Sequence, residues 1–527
     1  MRDRSISISG SKEKVKAKSK GKSKEKSDIP YNNSVFWISA IVIIIVVLFG
    51  AIWPATFAVG ASSAFDFTTY AFGWLYLLAV LFFVLSLLTL AVTKYGKLKL
   101  GSDNSKPDYP FFTWVGMLMS CGLGIGLVFW GIAEPMSHFF SSPFGREPLT
   151  TQAARTAMGY AFFHWGLSQW AIFSMVGLAV GFFQFRKKED GLISTTLKPI
   201  IKNGRSAGPI KKTIDTLAVI ATVVGIATSL GLGIMQINGG MSSVFGLTNT
   251  IGTKLGIVAV MLICYLASSI SGLDKGIKWL SNINLTLVFV LMLYVFITGP
   301  TVFILNSFTQ GLGDYVTHFI EYSLRLSPYS GGRLWVREWT IFYWAWTIAW
   351  SPFVGAFIGR VSRGRTIREF ILGVLIIPPL ISLLWVAVFG GTAIYMDLFE
   401  GTNIAQAVNQ DVTAALFFTF NELPLSFPIS VLAIILIFTF LVTSADSASY
   451  ILGSMTTNGM PTPPIIVRAI WGVLISAIAA VLTIASGLEG LQTASLVAAL
   501  PFTIILIVMS VTMFNQIRKE YRLTVKG

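Results

Sequence analysis

The sequence predicts an all-helical integral membrane protein with twelve transmembrane spans. Of its 527 residues, 54% are hydrophobic and only 12% are charged, and the mean hydropathy is +0.72. Apolar runs of about eighteen residues or more, long enough to cross the hydrocarbon layer as helix, recur along the chain. Lys and Arg collect in alternate connections, which is the positive-inside pattern of a multi-pass protein.

The spans fall near 35–54, 71–93, 111–133, 156–183, 214–240, 255–272, 281–305, 337–359, 369–394, 428–450, 466–485 and 491–514. Basic residues follow the second span (Lys94, Lys97, Lys99, Lys106), the fourth (Arg186 through Lys212), the sixth (Lys275, Lys278), the eighth (Arg360, Arg363, Arg365, Arg368) and the tenth (Arg468), and Arg518, Lys519, Arg522 and Lys526 close the chain. The connection at 395–427 has none. This alternation places both termini in the cytoplasm of a protein of the cell membrane.

The net charge of +15 suggests nucleic acid at first. Its distribution argues otherwise. Residues 1–28 hold ten Lys and Arg against four Asp and Glu in a Ser/Lys/Gly-rich stretch that cannot build a core. Residues 1–30 therefore read as a disordered basic cytoplasmic tail, able to touch anionic headgroups, and no nucleic-acid partner is expected. A signal peptide's short apolar region and cleavage site are missing from it. Cys121 and Cys264 lie in apolar spans, so no disulfide or Cys-based metal site is expected.

The domain reading follows the spans. Two peripheral spans occupy 31–106, a first five-helix repeat 107–307 and a second 327–515, with a short cytoplasmic tail at 516–527. Between the repeats, 308–326 reads as an amphipathic surface helix, with Phe308, Leu312, Tyr315, Phe319, Tyr322 and Leu326 interrupted by Asp314, His318, Glu321 and Arg325. A folded extracellular loop is the alternative.

Two spans carry interruptions. The third contains Gly122, Gly124 and Gly126, each costing about 1 kcal/mol in a helix interior relative to Ala. Such a stretch serves close helix packing or unwinds to free backbone groups for an ion or substrate. The eighth has Ser351-Pro352 and Gly355. Two interrupted spans five helices apart suggest matching members of two repeats, spans 3–7 and 8–12.

The eighth span is also the aromatic one. Trp339, Tyr343, Trp346 and Trp350 recur at i, i+4, i+7 and i+11, one face of a helix. Trp339 fits an interfacial belt. Trp346 lies about ten residues into its span, near the midplane at roughly 1.5 Å per residue, where a wide electron-rich ring suits a cation such as a quaternary ammonium. Plain core packing yields the same pattern. In the fourth span Trp165 and Trp170 are about 140° apart on a helix and flank a ligand only if Gly166 distorts the turn. His164, beside them, reads as a packing or hydrogen-bonding group rather than a metal ligand. The tenth span ends in Thr443-Ser444, whose hydroxyls suit sodium or, alternatively, bond back to the preceding turn. Asp446 beside them is a functional candidate or a partner for basic loops.

Together these motifs resemble the betaine/carnitine/choline transporter family, and especially its sodium-coupled glycine betaine importers. The resemblance covers about residues 30–515. RVSRGRTIREF after the eighth span is its most specific motif. The glycine stretch followed by FWGIAEP, HWGL with Trp170, and TSADSAS support it. The resemblance implies a leucine-transporter-like fold, with two inverted five-helix repeats preceded by two helices. It implies a homotrimer in membrane lipid, with 308–326 at subunit contacts. It also implies sodium symport by alternating access that imports a small zwitterionic quaternary-ammonium compatible solute, such as glycine betaine, for osmoprotection.

Position by position, the family's substrate site falls on Trp165, Trp170 and Phe173 of the fourth span and on Tyr343, Trp346, Thr347 and Trp350 of the eighth. Gly122, Gly124 and Gly126 would complete it. Two residues depart from betaine importers: Phe173 stands where they have Tyr, and Thr347 where they have a second Trp. The sodium site would use carbonyls of Ser120, Leu123 and Phe440 and the hydroxyls of Thr443 and Ser444. A second sodium position would use Thr222 and the ring of Phe353, although Ile226 replaces its other threonine. Choline carriers tend to have Asp where this chain has Gly126, so a zwitterion is expected rather than a bare cation, and Asp at 126 should shift preference towards choline. Glu134, eight residues on, is expected beyond the site.

Rival readings are weaker. A sodium-independent exchanger of the family lacks the hydroxyl pair, and a carrier of choline or of another zwitterion would differ in the cage. A channel or receptor needs a pore-lining ring or an output domain. An enzyme needs clustered His, Asp or Glu, and here the three His are scattered in the sequence.

Overall fold

A computed structural model describes residues 33–122, 124–201, 204–271, 274–329 and 333–526. The basic tail and Leu123 lie outside them. Helix α1 (Ser34–Ile52) meets α2 (Pro54–Val92) at Trp53. Helices α3 (Phe111–Gly122) and α4 (Ile125–Phe140) form the third span, and α5 (Thr151–Trp165) and α6 (Leu167–Gly181) the fourth. A short α7 (Ile193–Thr196) leads to α8 (Ala207–Phe245), α9 (Ile251–Ser271) and α10 (Asp274–Thr298). Then come α11 (Thr301–Leu324), α12 (Arg333–Val336), α13 (Phe342–Val361) and α14 (Ile367–Tyr395). Helices α15 (Ile404–Gln410) and α16 (Ala415–Asn421) lie in the connection without Lys or Arg, before α17 (Ser426–Thr456), α18 (Ile465–Ala485) and α19 (Gly487–Lys526).

Among the described residues, eleven helical stretches are long and apolar enough to cross a membrane. The twelfth expected span is the α3–α4 pair, whose halves are each too short to count alone. Among the described residues there is no strand, only an isolated bridge between Lys99 and Thr366.

Packing is reciprocal between the two groups of five spans. Helix α13 lies on α6 as α4 lies on α14, α8 meets α18 as α17 meets α9, and α8 and α17 pack on each other. Exchanging spans 3–7 with 8–12 maps these three contacts onto their counterparts. Small residues allow the closest approach. Gly177 and Gly181 of α6 face Gly355 and Gly359 of α13, so near that a Cβ on Gly355 would lie 3.0 Å from the Gly177 amide.

Two features differ from the sequence reading. The seventh span was expected to reach 305, but α10 ends at Thr298 and α11 starts at Thr301, because Gly299-Pro300 interrupts the ladder. The eighth span is unbroken at Ser351-Pro352. Proline cannot bond the Ile348 carbonyl, and the Ser351 hydroxyl donates to that oxygen instead, at 2.7 Å. The irregular turn is a π-helical one at Arg337–Ile341. The break in the fourth span is real: α5 stops at Trp165, Gly166 leaves the helical conformation with φ −87° and ψ −143°, and α6 starts at Leu167.

Helix α11 turns its acid inward. Asp314 is buried and takes a bidentate contact from Arg155 of α5, with Nε at 2.7 Å from Oδ2. Partial burial pushes the Asp314 carboxyl up, but the hydrogen bonds from Arg155 and Gln310 outweigh it and hold the group below the usual carboxylate range. Val316 and Ile320 face outward.

Candidate functional site

The break in the third span exists because three glycines leave no side chain where rings press in. A methyl on Gly122 would overlap the six-membered ring of Trp170, and one on Gly126 that of Trp346. At Gly124 the edge of Trp350 lies 3.9 Å from where a Cβ would be. Each glycine therefore meets one tryptophan. The first turn of α4 begins at Gly124 with no side-chain cap, which leaves backbone N–H groups at the positive end of a helix. The start of α6 is different. There the Tyr315 hydroxyl of α11 accepts from the Leu167 amide at 2.9 Å.

The rings form an arc. Trp165 stands edge-on to Trp346 at 6.3 Å, Trp346 is parallel to Trp350 at 6.2 Å, Trp350 meets Phe173 at 5.6 Å, and Phe173 meets Trp170 at 5.8 Å. The Ser229 hydroxyl of α8 accepts from the Trp346 indole at 3.3 Å. The periodic face of the eighth span is present, with Trp339 over Tyr343 at 6.5 Å and Tyr343 near Trp346 at 6.1 Å. Trp339 is half-buried. It packs on His138 at 4.4 Å and on Trp130 at 5.4 Å.

Behind Trp165 lies the residue the sequence reading placed beyond the site. Glu134 is fully buried. Its Oε1 accepts from His164 Nδ1 at 2.6 Å and from His138 Nε2 at 3.2 Å. Its Oε2 accepts from the Trp165 indole at 2.8 Å and from the Tyr343 hydroxyl. His164 Nε2 in turn accepts from the Thr340 hydroxyl at 2.9 Å. These tautomers give Glu134 its four donors and leave His138 Nδ1 buried without a partner among the described residues. Four donors on one carboxylate fix the orientation of two cage rings. His164 is thus the hydrogen-bonding group expected, but it is not isolated, because the fold gathers two of the three His around one acid. Glu134 and His138 sit at i and i+4 on a helix, a spacing that could have drawn attention to them.

The other side of the arc is unpaired. Trp170 Nε1, Gln169 Oε1 and Thr347 Oγ1 are buried and have no hydrogen-bond partner among the described residues.

The proposed ion ligands are only partly gathered. Phe440 and Gly124 line one apolar cavity of about 230 Å³, with Phe112, Gly116 and Trp385. Thr443 Oγ1 donates back to the Thr439 carbonyl at 3.0 Å and accepts from Asn284 at 3.3 Å. Ser444 follows it, partly buried. Ser120 is in α3 with its side chain outside the described residues, where Leu123 lies entirely. Asp446 pairs with Arg468 at 3.2 Å, the structural alternative of the sequence reading. Thr222 bonds back to the Ala218 carbonyl. The antiparallel register of α8 on α13, with Ser229 at Trp346 and Gly225 against Ala349 and Trp350, carries Thr222 one turn on to the level of Phe353.

Residues 34–522 match the sequence profile of BCCT, the betaine/carnitine/choline family transporters. The chain belongs to this family. BCCT relatives include a protein of Virgibacillus pantothenticus named ectoine/hydroxyectoine transporter, 59% identical over 489 residues that span 93% of this chain and 97% of that one. The glycine betaine transporter OpuD of Bacillus subtilis (strain 168) is 47% identical, covering 93% and 95%. The osmo-dependent choline transporter BetT2 of Acinetobacter baylyi is 36% identical, covering 93% and 72%. This BCCT protein is therefore a multi-pass membrane transporter of small solutes and not an enzyme.

Proposed function

We propose that the protein imports a small zwitterionic compatible solute, glycine betaine or a similar molecule, by sodium symport with alternating access. The arc of five aromatic rings closed by three glycines is the observation that carries this reading. Rings at van der Waals spacing around a helix break offer faces to a cationic group, and the uncapped start of α4 offers N–H groups to a carboxylate. Glu134 lies behind Trp165, bonded to His138, His164, Trp165 and Tyr343, and is not one of the groups that face the helix break, whereas a zwitterion brings its own counter-charge to the break. The names of two relatives point to two chemistries, a fully methylated ammonium and a cyclic amidinium. Sodium would be held by Thr443, Ser444, Phe440 and the α3–α4 break, the protein would assemble as a homotrimer, and its termini would be cytoplasmic.

The test is uptake of labelled glycine betaine and ectoine into proteoliposomes with an inward sodium gradient, compared with potassium. Sodium should drive accumulation at least severalfold. Equal uptake in both salts would sink the symport, and faster uptake of choline than of either zwitterion would sink the charge argument.

A further inference from the structure

We infer that Gln169 and Thr347 form a hydrogen-bonding wall of the cage that selects a zwitterion carrying N–H donors over one whose nitrogen is fully alkylated. This rests on the transport function proposed above and narrows its substrate class.

Gln169 and Thr347 are 2% and 1% exposed, and Trp170 is 1% exposed. Gln169 Oε1, Thr347 Oγ1 and Trp170 Nε1 nevertheless lack partners among the described residues. Ser174 Oγ, one turn beyond Trp170, is buried and unpartnered among them as well, while other polar neighbours are bonded. The Ser351 hydroxyl is bonded to Ile348, Tyr315 caps Leu167, and the Trp346 and Trp165 indoles donate to Ser229 and Glu134. Leaving buried polar atoms unpaired is costly, so a cluster of them beside a ring arc marks a place where a ligand completes the bonding.

The helix register puts the first two at one level of the α6–α13 pair. Val176 of α6 packs against Gly355 of α13, and Gly177 and Gly181 lie along Gly355 and Gly359, so the helices run parallel. Gln169 is seven residues before Val176, hence on the same helix face. Thr347 is eight before Gly355, at the same level as Gln169. Trp170, next in sequence, lays its ring on Gly122 at the break.

The atoms define the ligand. Trp170 offers one N–H, which suits a carboxylate, and the Gln169 carbonyl can only accept. The Thr347 hydroxyl does either. An acceptor requires a donor, and a quaternary ammonium has none. A cyclic amidinium zwitterion such as ectoine has N–H groups for Gln169 and Thr347 and a carboxylate for Trp170. A site built to bond an N–H discriminates against an analogue lacking it because its own polar atoms are then stranded.

The experiment uses full-length protein in liposomes and measures competition by ectoine and by glycine betaine. Wild type should prefer ectoine by about tenfold or more. Gln169→Leu and Thr347→Val should each lower that ratio by about fivefold to tenfold, through loss of ectoine binding, while Thr347→Ser keeps it. A wild-type preference for glycine betaine, an unchanged ratio in both variants, or equal weakening of both solutes in monodisperse protein would overturn the inference. Should Gln169→Leu fail to fold, the Val and Ser pair at 347 decides. Wild type that binds neither solute refutes the transport reading instead.

Discussion

The two sides of the aromatic arc are built on opposite principles. Behind Trp165, Glu134 has four donors on two oxygens. Beside Trp170, its own Nε1, Gln169 Oε1 and Thr347 Oγ1 are buried with no partner among the described residues. The same helices carry both sides: α5–α6 supplies His164 and Trp165 to one and Gln169 and Trp170 to the other, and α13 supplies Tyr343 and Thr347. A carboxylate with four donors holds rings at fixed angles before any ligand arrives, even though His138 Nδ1 beside it is itself unpartnered among the described residues. An unsaturated cluster costs stability until a ligand binds. On the function proposed above, the difference separates scaffold from recognition along one arc.

The largest effect should come from breaking the saturated side. Glu134→Leu strands two imidazoles, an indole and a phenol in the interior, at a cost of about 3–5 kcal/mol. Thermal unfolding of the detergent-solubilised protein should shift down steeply and uptake should disappear. A stable, active Leu variant would show that the network positions nothing.

Next comes the floor of the arc. Gly126→Ala should drive a methyl into the Trp346 ring, an overpacking of about 1–3 kcal/mol, while Gly116→Ala, which meets nothing within 4 Å, should be near neutral. Solute affinity of the two variants, measured side by side, checks this. The same collision corrects the expectation for Gly126→Asp: its Cβ must displace Trp346 first, so loss of zwitterion binding should precede any gain for choline.

The rings themselves should separate the two sides. Trp170→Leu loses mainly a cation–π contact, worth about 0.5–2 kcal/mol, or roughly threefold to thirtyfold in affinity. Trp165→Leu also removes a donor from Glu134, so its loss should be greater and accompanied by lower thermal stability. Equal losses with unchanged stability would erase the distinction between the walls.

The smallest effect lies at the ion ligands. Changing Thr443 and Ser444 together to Ala should raise the sodium concentration for half-maximal uptake severalfold, with little change in saturating affinity for solute. Unaltered sodium dependence would remove these hydroxyls from the site.

How far the sequence reached can be read from individual residues. The twelve spans were legible because burying a helix in lipid demands about twenty apolar residues in a row, a local property. The face of Trp339, Tyr343, Trp346 and Trp350 was legible because helix period is local too. The glycines of the third span announced a break, and Gly166 hinted at the second. The family resemblance added the cage positions, including the departures Phe173 and Thr347.

Tertiary structure decided what those positions meet. No spacing rule links Glu134 to Trp165 and Tyr343, which lie 31 and 209 residues away, because hydrogen bonds between helices depend on how the helices are laid together. The continuity of α13 through Pro352 likewise turned on a single hydroxyl, that of Ser351, reaching the Ile348 carbonyl. Local patterns set which segments enter the membrane and which faces are aromatic. Partner choice across helices, and hence which polar atoms are satisfied and which are left for a solute, exists only in the packed chain.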